Sequence, residues 1–232
     1  MNLTMNKQSL ILFLSFAFLL SVTNVSGQNK VRKLWMAQVD YRLSYTGFSD
    51  TPSELLPKTA MLEVRGSNTR LTKKNALETT YLIGNRDSMI LLNMAETETD
   101  RVAIRCDSSD ILSAQANIQT TIESQSELRT ILGYPCHGYF ITMVENGDTY
   151  TEELWTTDYI GGNDVNFFLY PDVHGVILYS RRTMGKQVVE MKAIKVTNRN
   201  AINAGSFSVP MDFAVEPCNN QKNESPECRL KN

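Results

Sequence analysis

Cys136 stands next to His137, Glu152 next to Glu153, and a second histidine lies at 174. With these residues the chain could attempt nucleophilic, acid–base or metal chemistry. A cysteine nucleophile needs its base on the same side, but neighbours on an extended strand point to opposite faces. The same alternation separates Glu152 from Glu153, so they do not form the facing carboxylate pair of glycoside hydrolysis. A zinc site takes three or four convergent ligands, and here His137 and His174 are the only histidines and there is no CxxC. No G-x-S-x-G elbow is present. Gly161-Gly162, followed by Asn163-Asp164, reads as a hinge rather than a phosphate loop. The sequence therefore assigns no catalytic, metal or cofactor residues and reads as a non-enzyme.

The elements that position these residues are strands, and the clearest is a hairpin centred on Asn146-Gly147. Asn then Gly tolerates the positive φ that a two-residue type I′ turn needs at both central positions. The turn sets the register: Glu145 faces Asp148, Val144 faces Thr149, Met143 faces Tyr150, Ile141 faces Glu152 and Tyr139 faces Leu154. The last three pairs share one apolar face, on which Glu152 is the charge out of pattern. It reads as a strand-edge charge or an ion-pair partner, ahead of a polar contact in a cavity. The other face is more polar, and there Trp155 falls opposite Gly138, where an indole can cover bare backbone.

Upstream, Trp35, Ala37, Val39, Tyr41, Leu43 and Tyr45 alternate with polar residues, a long half-buried strand of the kind found in barrels and curved open sheets. After a loop over 48–57, strands are expected over 58–64, 69–74, 78–83, 88–94 and 101–106. Residues 107–115 can form a short helix capped by Ser109 or Asp110. A Thr/Ile-rich strand follows over 117–124. Asn163 could cap a helical turn through Val165, Phe168 and Leu169, stopped by Pro171. Residues 173–180 are apolar on both sides, as in a strand covered on both faces. Arg181-Arg182 marks a turn, and 187–197 completes the next hairpin. Ser206-Phe207-Ser208-Val209-Pro210 is expected to close the sheet. The fold class is mainly β: one curved antiparallel sheet with a few short helices.

Of 232 residues, 42% are hydrophobic and the formal net charge is −2. That balance argues against a nucleic-acid surface and a polybasic membrane patch. Lys7, the apolar run Leu10–Leu20 and Val25-Ser26-Gly27 have the layout of a signal peptide over 1–27, cleaved before Gln28. The run is too short to span a bilayer, and no later segment is long and apolar enough to do so. The rest divides into a β domain over 28–215 and a polar, cysteine-containing tail over 216–232. Four cysteines in an exported chain favour disulfides over free thiols or metal. Cys218–Cys228 is the local pairing, which leaves Cys106–Cys136 by elimination.

Ile131-x-Gly133-Tyr134-x-Cys136, then Glu153-Leu154-Trp155-Thr156-Thr157-Asp158, then Ser206-Phe207-Ser208-Val209-Pro210 resemble a secreted domain-of-unknown-function family of Gram-negative bacteria. That family is similar to the wider LolA-like group of lipoprotein and lipid carriers. The resemblance implies an open half-barrel enclosing an apolar cavity, in a periplasmic or secreted protein. Its ligand would be a lipid or other apolar molecule. Unlike the carriers, this chain has no amphipathic helix before its first long strand. The residues available to line a cavity are Trp35, Val39, Tyr41, Leu43, Tyr139, Ile141, Met143, Tyr150 and Leu154. In a closed sandwich the same residues would be packed core, and the protein would be an interaction module of the envelope with an envelope protein as partner.

Overall fold

The structure, a computed structural model, describes residues 33–116, 118–145, 147–162, 165–166, 170 and 172–218. The expected signal peptide, the helical turn resting on Asn163, Phe168, Leu169 and Pro171, and Cys228 lie outside or largely outside them. The strands are β1 (Met36–Thr46), β2 (Thr59–Arg65), β3 (Asn68–Lys74), β4 (Thr79–Asn85), β5 (Ile90–Glu96), β6 (Arg101–Cys106), β7 (Gln119–Ile131), β8 (Tyr134–Glu145), β9 (Asp148–Thr157), β10 (Val176–Met184), β11 (Gln187–Asn198) and β12 (Ala214–Pro217). Helix α1 (Ser108–Ala116) sits between β6 and β7, and a 3-10 turn (Ala204–Phe207) precedes β12. All twelve strands join one curved, half-barrel-like sheet that is not closed, in the order β12-β6-β5-β4-β3-β2-β1-β11-β10-β9-β8-β7.

Short connections make each chain neighbour an antiparallel sheet neighbour, as the alternating pattern and turn residues dictate. Two successive pairs break that rule, β6 with β7 and β11 with β12, which are not sheet neighbours. β11 returns to pair with β1, Val39 opposite Val196 and Leu43 opposite Met191. β12 pairs parallel with β6, Val215 opposite Ala103. The central hairpin has the register set by its turn, with Met143 opposite Tyr150, Ile141 opposite Glu152 and Gly138 opposite Trp155. A Cβ on Gly138 would come within 2.9 Å of the Trp155 ring, so the indole does lie over that glycine.

Pairing carries one set of side chains across the whole sheet. On this first face lie Val39, Tyr41 and Leu43 of β1, Leu62 of β2, Leu71 of β3 and Leu82 of β4. In the other direction it carries Met191, Ser180, Leu154, Tyr139 and Ile141. Tyr170 and Val173 pack onto Ile141, Leu154 and Ile177. The second face has its own cover. Phe207, Val209 and Phe213 pack on Ile83, Leu92, Met94 and Ala103. The expected closing strand over 206–210 is therefore not a strand: its apolar residues lie flat on the second face, and the strand that ends the sheet comes later, as β12.

α1 is capped by Asp107 rather than by Ser109 or Asp110, and the cap is reciprocal. Its Oδ1 accepts from the backbone N–H of Ser109 at 2.8 Å, and Asp110 Oδ2 accepts from the Asp107 N–H at 3.0 Å. Ile111 then packs with Ile104 and Cys106. Gly175 cannot be replaced cheaply: its φ is +80° and a Cβ would lie 2.5 Å from the Thr157 carbonyl oxygen.

The disulfide joins Cys106 to Cys218, which corrects both expected pairings. β12 lies alongside β6 and ends next to the last residue of β6, so their Cα atoms are 4.8 Å apart. Cys136 sits on β8, next to the opposite edge of the sheet, and is a buried free thiol. Proximity in sequence misled here because a parallel edge strand brings together residues 112 apart.

A candidate apolar binding face and its buried polar clamp

Eight of the nine residues proposed to line a cavity lie on the first face, but they do not share one environment. Val39, Tyr41, Leu43, Ile141 and Leu154 are buried, and Tyr139, Met143 and Tyr150 are half-buried. Trp35 is 61% exposed and precedes β1; its indole lies over Gly66 instead of facing inward. Tyr41 donates its hydroxyl to the Ile177 carbonyl at 2.7 Å, and burial pushes its phenol well above the ordinary range. Over β8, β9 and β10 the face is filled by Tyr170 and Val173.

Glu152 holds this cover down. It is 5% exposed on the first face, opposite Arg182 of β10. Arg182 Nε donates to Glu152 Oε2 at 2.9 Å, and Arg182 Nη2 donates to the Tyr170 hydroxyl at 2.9 Å. The Tyr170 hydroxyl in turn donates to Glu152 Oε2. Burial, and then the neighbouring Glu152 charge, push the Tyr170 phenol well above its usual range, so it stays protonated and donates. The charge out of pattern is thus an ion-pair partner, one of the roles expected for it. Arg182 is not in a turn: it lies within β10. Its pairing could not be read without knowing that β9 and β10 are neighbours. The cover is fixed further by Asn166, whose side-chain amide donates to the Gly175 and Val173 carbonyls. Gly161 and Gly162 do not form a free hinge, because their N–H groups donate to Leu34 and Gly66 carbonyls at 2.7 and 2.8 Å.

The residues weighed for chemistry stay apart. His137 is exposed on the first face, opposite Thr156. Cys136 is buried with its thiol 3.4 Å from the Tyr134 carbonyl, and burial pushes that thiol up to about 11, away from a reactive thiolate. His174 is exposed beyond the cover. Glu153, on the second face, accepts from the Trp155 indole N–H at 2.7 Å and lies 3.8 Å from Arg129. The Arg129 guanidinium stacks 4.3 Å from the centre of the Trp155 ring.

Beyond the cover the first face keeps one apolar row, bordered by Thr69, Lys73, Thr80 and Asn93. Val39, Leu62, Leu71 and Leu82 are successive cross-strand partners. Val39 is fully buried, while the three leucines are half-buried. Adjacent strands are about 4.8 Å apart, so the row offers a stripe about 14 Å long.

No protein-family model matches the chain, and no curated protein is similar to it. Among solved structures, PNGF-II in its P21 crystal form matches with a TM-score of 0.53 at 18% identity. That alignment covers 81% of this chain and 33% of PNGF-II. The C2 form of PNGF-II matches at a TM-score of 0.48 and 19% identity, over 78% of this chain and 30% of that one. LprF from Mycobacterium bovis matches at 0.31 and 13%, over 71% of this chain and 89% of LprF. This chain thus spans about a third of PNGF-II, and the likeness is one of fold.

Proposed function

We propose that this is a non-enzymatic exported protein that binds an apolar, lipid-like chain along the first face of its sheet. The observation that carries the reading is the half-buried row Leu62, Leu71 and Leu82, continuous with buried Val39. The binding energy would come from apolar area removed from water, about 25 cal/mol per Å², or about 0.8 kcal/mol for each buried methylene. The site differs from the cavity expected from the sequence, since Ile141 and Leu154 already have Tyr170 and Val173 as cover. The Cys106–Cys218 bond supports export, because disulfides persist in oxidising compartments. Among the described residues no helix is long and apolar enough to cross a membrane.

The reading is tested by producing the protein in a bacterial periplasm, purifying it without detergent and weighing it under native and denaturing conditions. Extra native mass that disappears on denaturation, and that is reduced in Leu71→Gln/Leu82→Gln, is the expected result. A clean apo mass that persists after incubation with phospholipid would remove the lipid reading. It would favour the second one, an interaction module whose sheet is packed by its own chain. The complete cover over Ile141 and Leu154 is the observation on that side.

A further inference from the structure

We propose that the second face carries a separate site for a small carboxylate with an apolar body, received by Arg70. The segment that crosses this face toward β12 leaves a cleft of about 210 Å³ beside β3 to β6. Tyr81, Met94, Pro210 and Phe213 form its apolar walls. Its two cations are committed very differently. Arg101 is held by Glu96 at 2.9 Å and by Asp212 at 2.6 Å. Arg70 has no carboxylate among the described residues nearer than Glu63, at 4.0 Å. Its Nη1 reaches the Ser206 carbonyl only at 3.5 Å, and its Nε is buried without an acceptor.

A buried guanidinium N–H without an acceptor is costly, and such groups ordinarily find one. Here the guanidinium is also held in place: it lies 4.6 Å from the centre of the Tyr81 ring, and the Tyr81 hydroxyl is tied to Glu96 Oε2 at 3.1 Å. A fixed planar fork beside apolar walls matches a carboxylate attached to a ring or short hydrocarbon. Glu96 and Asp212 border the cleft and Arg101 offsets only one of their two charges, so Arg70 brings the lining to neutral and a monoanion is favoured over a di- or trianion such as citrate.

The test is a calorimetric and 1H–15N NMR titration of the full chain with phenylacetate and, separately, phenylacetamide. The two probes share a body and differ in the charge that Arg70 would read. Saturable binding of the acid, with shifts at Arg70 and Tyr81, and affinity for the amide lower by about tenfold or more, is expected. Arg70→Gln should remove that preference and Arg70→Lys should keep part of it. Equal affinity for acid and amide, or no saturation by either, overturns the proposal. Because the acid–amide comparison uses the unaltered protein, it decides the matter even if an Arg70 variant fails to fold. The lipid reading concerns the opposite face, so either can fail without the other.

Discussion

Replacing Glu152 by alanine should destabilise the protein more than removal of a carboxylate at the surface would. The carboxylate is 5% exposed and accepts from both Arg182 and Tyr170. Its loss takes from Arg182 and from the Tyr170 hydroxyl the carboxylate that both donate to. Breaking a buried pair by deleting one partner costs about 3–5 kcal/mol. The Arg182 side chain is 24% exposed and can recover some hydration, so about 3 kcal/mol is the expected loss. For a domain of this size that lowers Tm by roughly 6–12 °C. Urea titrations at neutral pH should show a lower midpoint with an unchanged slope. Glu152→Leu combined with Arg182→Leu should cost much less than the sum of the single changes, because a buried pair replaced by apolar groups leaves no stranded charge. The reasoning fails if Glu152→Ala costs under about 1 kcal/mol, or if the double variant is fully additive.

Four further outcomes follow from other parts of the fold. Removing the disulfide as Cys106→Ser/Cys218→Ser should cost up to about 4.8 kcal/mol by the loop-entropy relation for a separation of 112 residues; urea midpoints give the value, and non-reducing peptide mapping should find the 106–218 link. Leu132 sits at φ 52° in the turn between β7 and β8, so Leu132→Asn should raise stability by about 1 kcal/mol in thermal melts. The Cys136 thiol holds its proton to about 11 when folded but only to its ordinary value of 9.0 when unfolded. The unfolded chain therefore loses that proton first, and stability falls as pH rises from about 9 to about 11. Cys136→Ala should lose less over that window in paired urea titrations. Gly175→Ala should destabilise by more than 1 kcal/mol, since the added methyl meets the Thr157 carbonyl.

The sequence disclosed what is local. Asn-Gly fixed the central register down to the Trp155–Gly138 pair, and period-two alternation marked β1, because both are decided within a few residues. It disclosed less where distant elements meet. Arg182 looked like a solvated turn residue because nothing near it in the chain announces Glu152, which lies one strand away. Ser206–Pro210 has an apolar pattern that suits a strand, yet Phe207 and Val209 are spent on covering the second face. The edge β7 is longer than its Thr/Ile-rich start suggested, running on to Ile131 through a bulge between Ser124 and Leu128. The candidate face was legible in composition but not in extent: Val39, Tyr41 and Leu43 were marked out, whereas Leu62, Leu71 and Leu82 join them only through strand order.

The link between Cys106 and Cys218 passes over Cys136. On the export proposed above, a chain emerging N-terminus first exposes Cys106 and Cys136 together, well before Cys218 arrives. An oxidant acting on whatever thiols are present would join the wrong pair. It would tie β6 to β8, which lie at distant places in the finished sheet. Correct closure then needs either early burial of Cys136 between its neighbouring strands or an isomerase to undo the premature bond. The placement of an unpaired thiol in the core thus makes the yield of native protein depend on whether Cys136 is buried before it is oxidised or the premature bond is reshuffled, not on oxidising power alone.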